Sequence, residues 1–343
     1  MFKQSFLFDT LDLTTEMPTA ATKAVAGGQL KLIRRGVLEV TPSEVNEATK
    51  SIVISAGVHG NETTPLELVD AIVNDILAGT FEIKERCLFI LAYPKAINNK
   101  TRFLDENLNR LFYKEVAGES VEVDIAKELM ADVSAFFAPT PESQRWHLDL
   151  HCAIRKSEHF TFAVSPHTLT KTRSRELFSF IDKAQLDAVL LSQGKTNTFS
   201  CFSANTHNAQ ALTVELGQVS PLGENDLSLV DGFNLALRAL LCGQLDTIEA
   251  TSKSIIYGVC QTLTRTQEDF DFTFDAKVKN FTRFYKGDEL GHDGETTLTV
   301  KQEYEAVVFP NKDVALGSRA ALMVTEVNAC FNDDYLEFSL PNS

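Results

Sequence analysis

The sequence predicts an α/β protein, a mostly parallel or mixed sheet with helices on both faces, followed by a smaller β-rich domain. Three observations carry this prediction. Short apolar runs alternate with helical patterns through the first part of the chain. After about Gly243 the texture changes to strand-like alternation with no helical pattern of comparable length. The 343 residues also exceed what a single core usually holds, roughly 250–300 residues. The division is therefore placed between residues 1–247 and residues 248–343.

In the first part, Ser51–Ala56 (SIVISA), Cys87–Ala92 (CLFILA), Phe160–Val164 (FTFAV), Ala188–Ser192 (AVLLS) and Ala211–Leu216 (ALTVEL) read as strands, several too apolar to be half exposed. The best-marked helix begins at Thr64, which is placed to cap it, with Pro65 at the first helical position and Glu67 completing a capping box. Its Val69, Ile72, Val73, Ile76 and Leu77 share one face. A second helix is expected over Val121–Phe137, where Ile125, Leu129, Val133 and Phe136 recur at helical spacing behind an acidic first turn. Further helices are expected over Arg173–Ala184 and Leu227–Cys242. In the second part, Phe272–Phe284, Thr297–Val300, Glu305–Phe309, Ala321–Val327 and Tyr335–Leu340 alternate as strands do.

Charge and composition exclude several function classes. Thirty-two Lys and Arg against 47 Asp and Glu leave a formal charge of −15, the wrong sign for neutralising nucleic-acid phosphates. No uninterrupted apolar run approaches the roughly 18 residues of a membrane span. Asp9 and Asp12 fall where a secretory signal needs continuous apolar sequence, so a cytoplasmic protein is expected. The six cysteines stand singly without a CxxC pair and read as reduced thiols; Cys152 is expected to be a core thiol.

The chemistry-bearing residues fall into four segments. The strand SIVISA runs into GVHGNETTP, which puts His59 and Glu62 in a tight turn before a helix, with Gly57 and Gly60 allowing the backbone to bend. Such a pair serves either as two metal ligands or as a helix cap. In WHLDLHC, His147, Asp149 and His151 share one face of a strand, a polar stripe that is costly to bury without partners. It serves either a metal, with one His as ligand and Asp149 as acceptor for a ligand's free ring nitrogen, or a hydrogen-bonded cluster without metal. His59, Glu62 and His151 together would make a three-ligand site with a fourth position open to water, as in catalytic zinc enzymes. Glu215 interrupts the apolar strand ALTVELG, placed either as the base that hydrolysis of an amide requires or as the partner of a core Arg. The polar loop Thr101–Phe112 carries Arg102, Asn109 and Arg110, suited to an anionic substrate and a developing oxyanion or, more plainly, to surface salt bridges. His207, in SANTHNAQ, is expected in a polar loop near the site entrance.

Taken in order, GVHGNE, NLNRLF, DLH and VELG resemble the motifs of the succinylglutamate desuccinylase/aspartoacylase family of zinc amidohydrolases, related in fold to zinc carboxypeptidases. The resemblance spans roughly residues 50–220 and implies a zinc-carboxypeptidase-like mixed sheet. It implies one zinc ion per subunit on His59, Glu62 and His151, with Glu215 as catalytic base and acid. It also implies that Arg102 polarises the scissile carbonyl, while Asn109 and Arg110 grip a substrate carboxylate. Within the family, GVHGNETTPLELVD, ELGQVSPLGEND and VVFPNKDVALGSRAALMV are most similar to the branch that splits N-succinyl-L-glutamate into succinate and L-glutamate, the last step of arginine breakdown by the succinyltransferase route. The partner implied is thus a small anionic N-acyl amino acid. The rivals are an aspartoacylase-like enzyme acting on another such compound and a non-catalytic protein that binds an acidic metabolite at a zinc site.

Overall fold

The computed structural model describes residues 1–341. Among them, thirteen strands form one twisted sheet. Its centre is parallel: Arg86–Leu91, Ser51–Ala56, Arg145–Ala153 and Gln210–Gln218 lie side by side in that order. On one flank, Val37–Pro42, Gly28–Arg34 and Ala21–Val25 add an antiparallel edge. On the other, Thr161–Ser165 runs antiparallel to Gln210–Gln218, and Ala188–Leu191 then pairs in parallel with it.

Alternation along the central strands sorts side chains onto two helical layers. Ile52, Ile54, Leu148, Leu150, Leu212 and Val214 pack with the helices Phe6–Leu11, Thr64–Ala78, Arg175–Lys183 and Asp231–Leu241. Val53, Leu88 and Ile90 face the other way, against Pro94–Asn98, Val121–Phe137 and Phe199–His207. This is the helix-covered mixed sheet the sequence predicts. The apolar runs are continuous because both faces of each strand are covered.

The C-terminal part continues the same sheet. Ile255–Thr264 pairs in parallel with Ala188–Leu191 and antiparallel with Arg319–Glu326, which is followed by Tyr304–Val308 and Thr282–Tyr285. Two small antiparallel sheets complete this region, among them the hairpin Asn328–Asn332/Tyr335–Ser339.

Three local expectations need correction. Thr64 is the first helical residue and Thr63 the cap, with no capping hydrogen bond from its side chain. The Thr64 hydroxyl donates instead to Asn225 Oδ1, and Glu67 accepts from Gly223 N and Asn225 Nδ2 at 2.6 Å each, so the apparent capping box ties down the loop after Gln210–Gln218. Phe272–Phe284 is not one strand: a turn at Asp275 and a left-handed Phe281 (φ 65°) separate Asp271–Phe272 from Thr282–Tyr285. Finally, Leu227–Cys242 begins with a 3₁₀ turn over Leu227–Val230 before the α-helix Asp231–Leu241.

Candidate metal centre and active site

The site lies at the carboxyl ends of Ser51–Ala56, Arg145–Ala153 and Gln210–Gln218, where α/β sheets usually place ligands. The turn after Ser51–Ala56 depends on two glycines. Gly57 has φ 70°, and a Cβ at Gly60 would sit 2.2 Å from the carbonyl carbon of Ala96. This close approach lets Gly60 N–H bond to the carbonyl of Arg102, which draws the Arg102 loop over the turn.

His59, Glu62 and His151 are each 2% exposed, and one ligand atom from each lies within 4.8 Å of the others. His59 Nδ1 is 3.0 Å from Glu62 Oε1, His151 Nδ1 is 2.8 Å from Glu62 Oε2, and the two Nδ1 atoms are 3.2 Å apart. The far nitrogens point outward to acceptors, His59 Nε2 to Asn107 Oδ1 at 3.0 Å and His151 Nε2 to Asp149 Oδ2 at 2.9 Å. Fixing each ring from behind while Nδ1 faces a carboxylate is the arrangement of metal-ligating histidines.

Electrostatics favour a cation at the same point. Burial alone would raise the Glu62 pKa, but His59 and His151 beside it hold it below the usual carboxylate range. Burial opposes charge on His151 as well, yet Asp149 and Glu62 hold its pKa well above that of an ordinary imidazole. Two carboxylates thus converge on one ring, leaving a negative pocket that a divalent ion would neutralise.

Behind the ligands, the polar stripe is fully paired. Asp149 Oδ1 accepts from Ser55 Oγ at 2.6 Å, and His147 lies 2.9 Å from Ser55 Oγ and 2.7 Å from Ser203 Oγ. Burial lowers the His147 pKa to about 4, so this ring is neutral at pH 7. Its role is to hold Ser55 and Asp149 in place.

Glu215 sits in register with His151 on the neighbouring strand. No core arginine pairs with it: its Oε2 is buried with no hydrogen-bond partner among the described residues. Burial, with the charge of Glu62 adding to it, pushes the Glu215 pKa up to about 7. Such a carboxyl can take up and return a proton near neutral pH.

The loop residues divide. Arg102 Nη1 contacts Glu62 Oε1 at 2.6 Å, at the edge of the cluster. Arg110 is exposed and donates to the carbonyl of Asn109, with no carboxylate paired to it among the described residues. Asn109 is 4% exposed: its Oδ1 accepts from Phe199 N–H at 2.9 Å, while its Nδ2 lies 3.3 Å from His151 Nε2, a nitrogen already donating to Asp149. It is buried beside His151. His207 differs from its expected place. It ends the helix Phe199–His207 at the amino-terminal end of the central strands, hydrogen-bonded to Ser134 and remote from the site. Cys152 is a buried thiol as expected, but its backbone N–H donates to Glu62 Oε2 at 3.1 Å. Sequence reasoning missed Asn107, although it lies two positions before Asn109 in the same loop, and Ser55, the inward hydroxyl nearest the carboxyl end of SIVISA.

A helix-covered mixed sheet carrying this cluster and a buried, proton-accepting carboxyl defines a hydrolase. The chain belongs to the succinylglutamate desuccinylase/aspartoacylase family: the family's catalytic domain matches residues 48–241, and the AstE/AspA barrel-sandwich hybrid domain matches residues 252–327. The succinylglutamate desuccinylase of Vibrio vulnificus is 48% identical over 98% of each chain. The X-ray structure of the Vibrio parahaemolyticus succinylglutamate desuccinylase, also 48% identical, superposes with a TM-score of 0.94 and covers 98% of this chain and 99% of that one. The corresponding structure from Chromobacterium violaceum, 31% identical, superposes at 0.83 over 96% of this chain and 99% of that one.

Proposed function

We propose that this chain is a zinc-dependent amidohydrolase that splits N-succinyl-L-glutamate and water into succinate and L-glutamate, closing the succinyltransferase route of arginine breakdown in the cytoplasm. The observation that carries the chemistry is Glu215, a buried carboxyl with a free Oε2 and a pKa near 7, in register with His151. Residues 1–247 form the catalytic domain and residues 248–343 the β-rich domain, a division supported by family matches ending at 241 and resuming at 252.

His59 Nδ1, His151 Nδ1 and the Glu62 carboxylate would hold the zinc ion. When bound, such an ion acidifies water and polarises a carbonyl oxygen. Glu215 takes a proton from the attacking water as the C–O bond forms and delivers it to the amide nitrogen as the C–N bond then breaks, so one water is consumed and both products leave with their protons balanced. Arg102, beside Glu62, faces the scissile carbonyl oxygen and stabilises the charge that develops there. Arg110 takes a substrate carboxylate. Asn109 Nδ2, whose N–H groups His151 Nε2 cannot accept while it donates to Asp149, donates to the same carboxylate.

The test is succinate release by the purified protein from N-succinyl-L-glutamate, with N-acetyl-L-aspartate as competitor, before and after chelation and zinc restoration. Preference for the succinyl compound, lost on chelation and recovered with zinc, is the expected result. Preference for N-acetyl-L-aspartate refutes the substrate, and turnover indifferent to chelation refutes the metal.

A further inference from the structure

We propose that Glu122, a buried carboxylate outside the metal cluster, is a positioning residue for the reaction: it holds the loop Thr101–Phe112 over the site and acts through Arg102 and Asn107. The proposal rests on the function proposed above and adds to it a residue that touches neither substrate nor metal.

An acid in the first turn of a helix ordinarily faces water and answers the helix dipole. Glu122 stands in the first turn of Val121–Phe137, yet it is 0% exposed. Its Oε1 accepts three hydrogen bonds, from the Tyr93 hydroxyl at 2.8 Å, from Leu104 N–H at 3.1 Å and from Asp105 N–H at 2.9 Å. Two of the donors are thus successive backbone groups of the loop, and the third comes from the segment just after the strand Arg86–Leu91. Hydrogen bonds to an ionised carboxylate are roughly twice as strong as those between neutral groups.

The loop needs such an anchor because both of its neighbouring fixed points serve the site. Gly60 N–H donates to the carbonyl of Arg102, whose guanidinium reaches Glu62 Oε1 at 2.6 Å. Asn107 Oδ1 lies 3.0 Å from His59 Nε2 and also accepts from Asn109 N–H. Residues 103–106 between them belong to no helix or strand. Among the described residues, the backbone hydrogen bonds of that stretch are the two from Leu104 and Asp105 to Glu122. Phe103 and Leu104 also pack on apolar side chains, which holds the loop down without fixing its direction. Glu122 therefore fixes the span between the arginine on Glu62 and the amide on His59. Removing its acceptor frees two N–H groups at the middle of that span and lets both ends shift.

A structural role alone would stop at stability. Positioning adds two further effects, since a misplacement of about 1 Å from a distant change can cost about 10²-fold in rate, and loosening the group that orients a ligating histidine costs about 10- to 100-fold in metal affinity.

Glu122→Ala, Glu122→Asp and Glu122→Gln test the anchor beside Val133→Ala, a control that opens the packing of the same helix away from the loop. Ala removes the acceptor, and Asp keeps the charge but shortens the arm. Gln keeps the acceptor oxygen and puts its nitrogen where Glu122 Oε2 has no partner among the described residues. Each variant is measured for turnover of N-succinyl-L-glutamate as the zinc-loaded enzyme, well below its melting temperature, and for zinc affinity by chelator competition. The expected result is kcat/KM lowered about 10²-fold by Ala and about tenfold by Asp, with zinc affinity weakened about tenfold or more by Ala. Gln stays within about threefold of wild type on both readouts, and so does Val133→Ala although it melts at a lower temperature. A Glu122→Ala variant unchanged in either readout overturns the proposal, as does Gln or Val133→Ala impaired as much as Glu122→Ala. Should Glu122→Ala not fold, Glu122→Asp decides by the same criteria. If the wild type does not turn over N-succinyl-L-glutamate, the proposed activity fails first. Zinc affinity then decides: binding weakened by Ala and kept by Gln sustains the anchor, while equal or absent binding overturns it.

Discussion

Replacing Glu215 with Gln separates what this carboxyl does for chemistry from what it does to stability. The substitution keeps the shape and removes the proton-accepting oxygen. General acid–base catalysis by one positioned group contributes about 10²- to 10⁴-fold, so turnover should fall by that factor while zinc content stays unchanged. The effect on stability has the opposite sign. Burial raises the Glu215 pKa from 4.5 to about 7, so between those values the folded protein binds a proton that the unfolded chain has released. Stability contributed by this group is therefore full below pH 4.5 and is lost as pH rises through 7. At about 1.4 kcal/mol per pK unit the loss is about 3 kcal/mol at pH 8. Glutamine carries no charge to desolvate, so the metal-free variant should be more stable than the metal-free wild type by up to about 3 kcal/mol at pH 8, and the gain should vanish near pH 4.5. Its uncharged amide still needs partners, which makes that figure a ceiling. Urea unfolding of both proteins in chelator at pH 8 and pH 5, beside a succinate-release assay, measures both effects. A variant with wild-type turnover removes Glu215 from the reaction, and one no more stable at pH 8 than wild type removes the argument that burial strains it.

Asp149→Asn exchanges the acceptor behind His151 Nε2 for a group that cannot carry charge, and metal affinity should weaken by about 10- to 100-fold, measured by competition with a chromogenic chelator; unaltered affinity would show that this hydrogen bond does not tune the site. Gly60→Ala places a methyl group against the backbone of Ala96, so a destabilisation of about 1–3 kcal/mol or more is expected, with turnover reduced because the Arg102 loop must shift. A normal melting temperature would contradict that close approach. His147 is neutral, with burial holding its pKa at about 4 instead of 6.5, so the unfolded chain takes up a proton that the fold refuses as pH falls. Its contribution should cost about 2 kcal/mol of stability on going from pH 8 to pH 5, and His147→Asn, less stable overall, should show a flatter acid limb in urea unfolding.

Much of this site was legible because burial leaves marks in sequence. The central strands are apolar throughout because helices cover both faces, so His147, Asp149, His151 and Glu215 stand out against Leu148, Leu150, Val214 and Leu216. The helix Val121–Phe137 was legible to its ends because Ser120 caps it locally. What failed depended on tertiary partners. The Thr64–Glu67 pattern looks like a capping box, but Asn225 and Gly223, more than 150 residues away, claim both side chains. The N-terminal strands Gly28–Arg34 and Val37–Pro42 are absent from the sequence prediction although Leu30, Leu32, Leu38 and Val40 carry an alternation; Lys31 and Glu39 on their less buried faces dilute it.

His147 and Glu215 lie on the same face of adjacent strands, yet acid acts on them in opposite directions. Protonation penalises the fold through His147 and relieves it through Glu215, and the two contributions between pH 5 and pH 8 are each on the order of 2–3 kcal/mol. A nearly flat pH dependence in the metal-free wild type would thus conceal two steep ones. The residue proposed for the chemistry is the one the fold tolerates at a loss, because a carboxyl whose Oε2 has no hydrogen-bond partner among the described residues is stable on a covered strand only when neutral. The residue that serves architecture is buried neutral between two serines that satisfy both its ring nitrogens. Removing Glu215 therefore exposes the His147 slope, and the variant should be stabler at pH 8 and more sensitive to acid than its parent, a combination that loss of packing alone cannot produce.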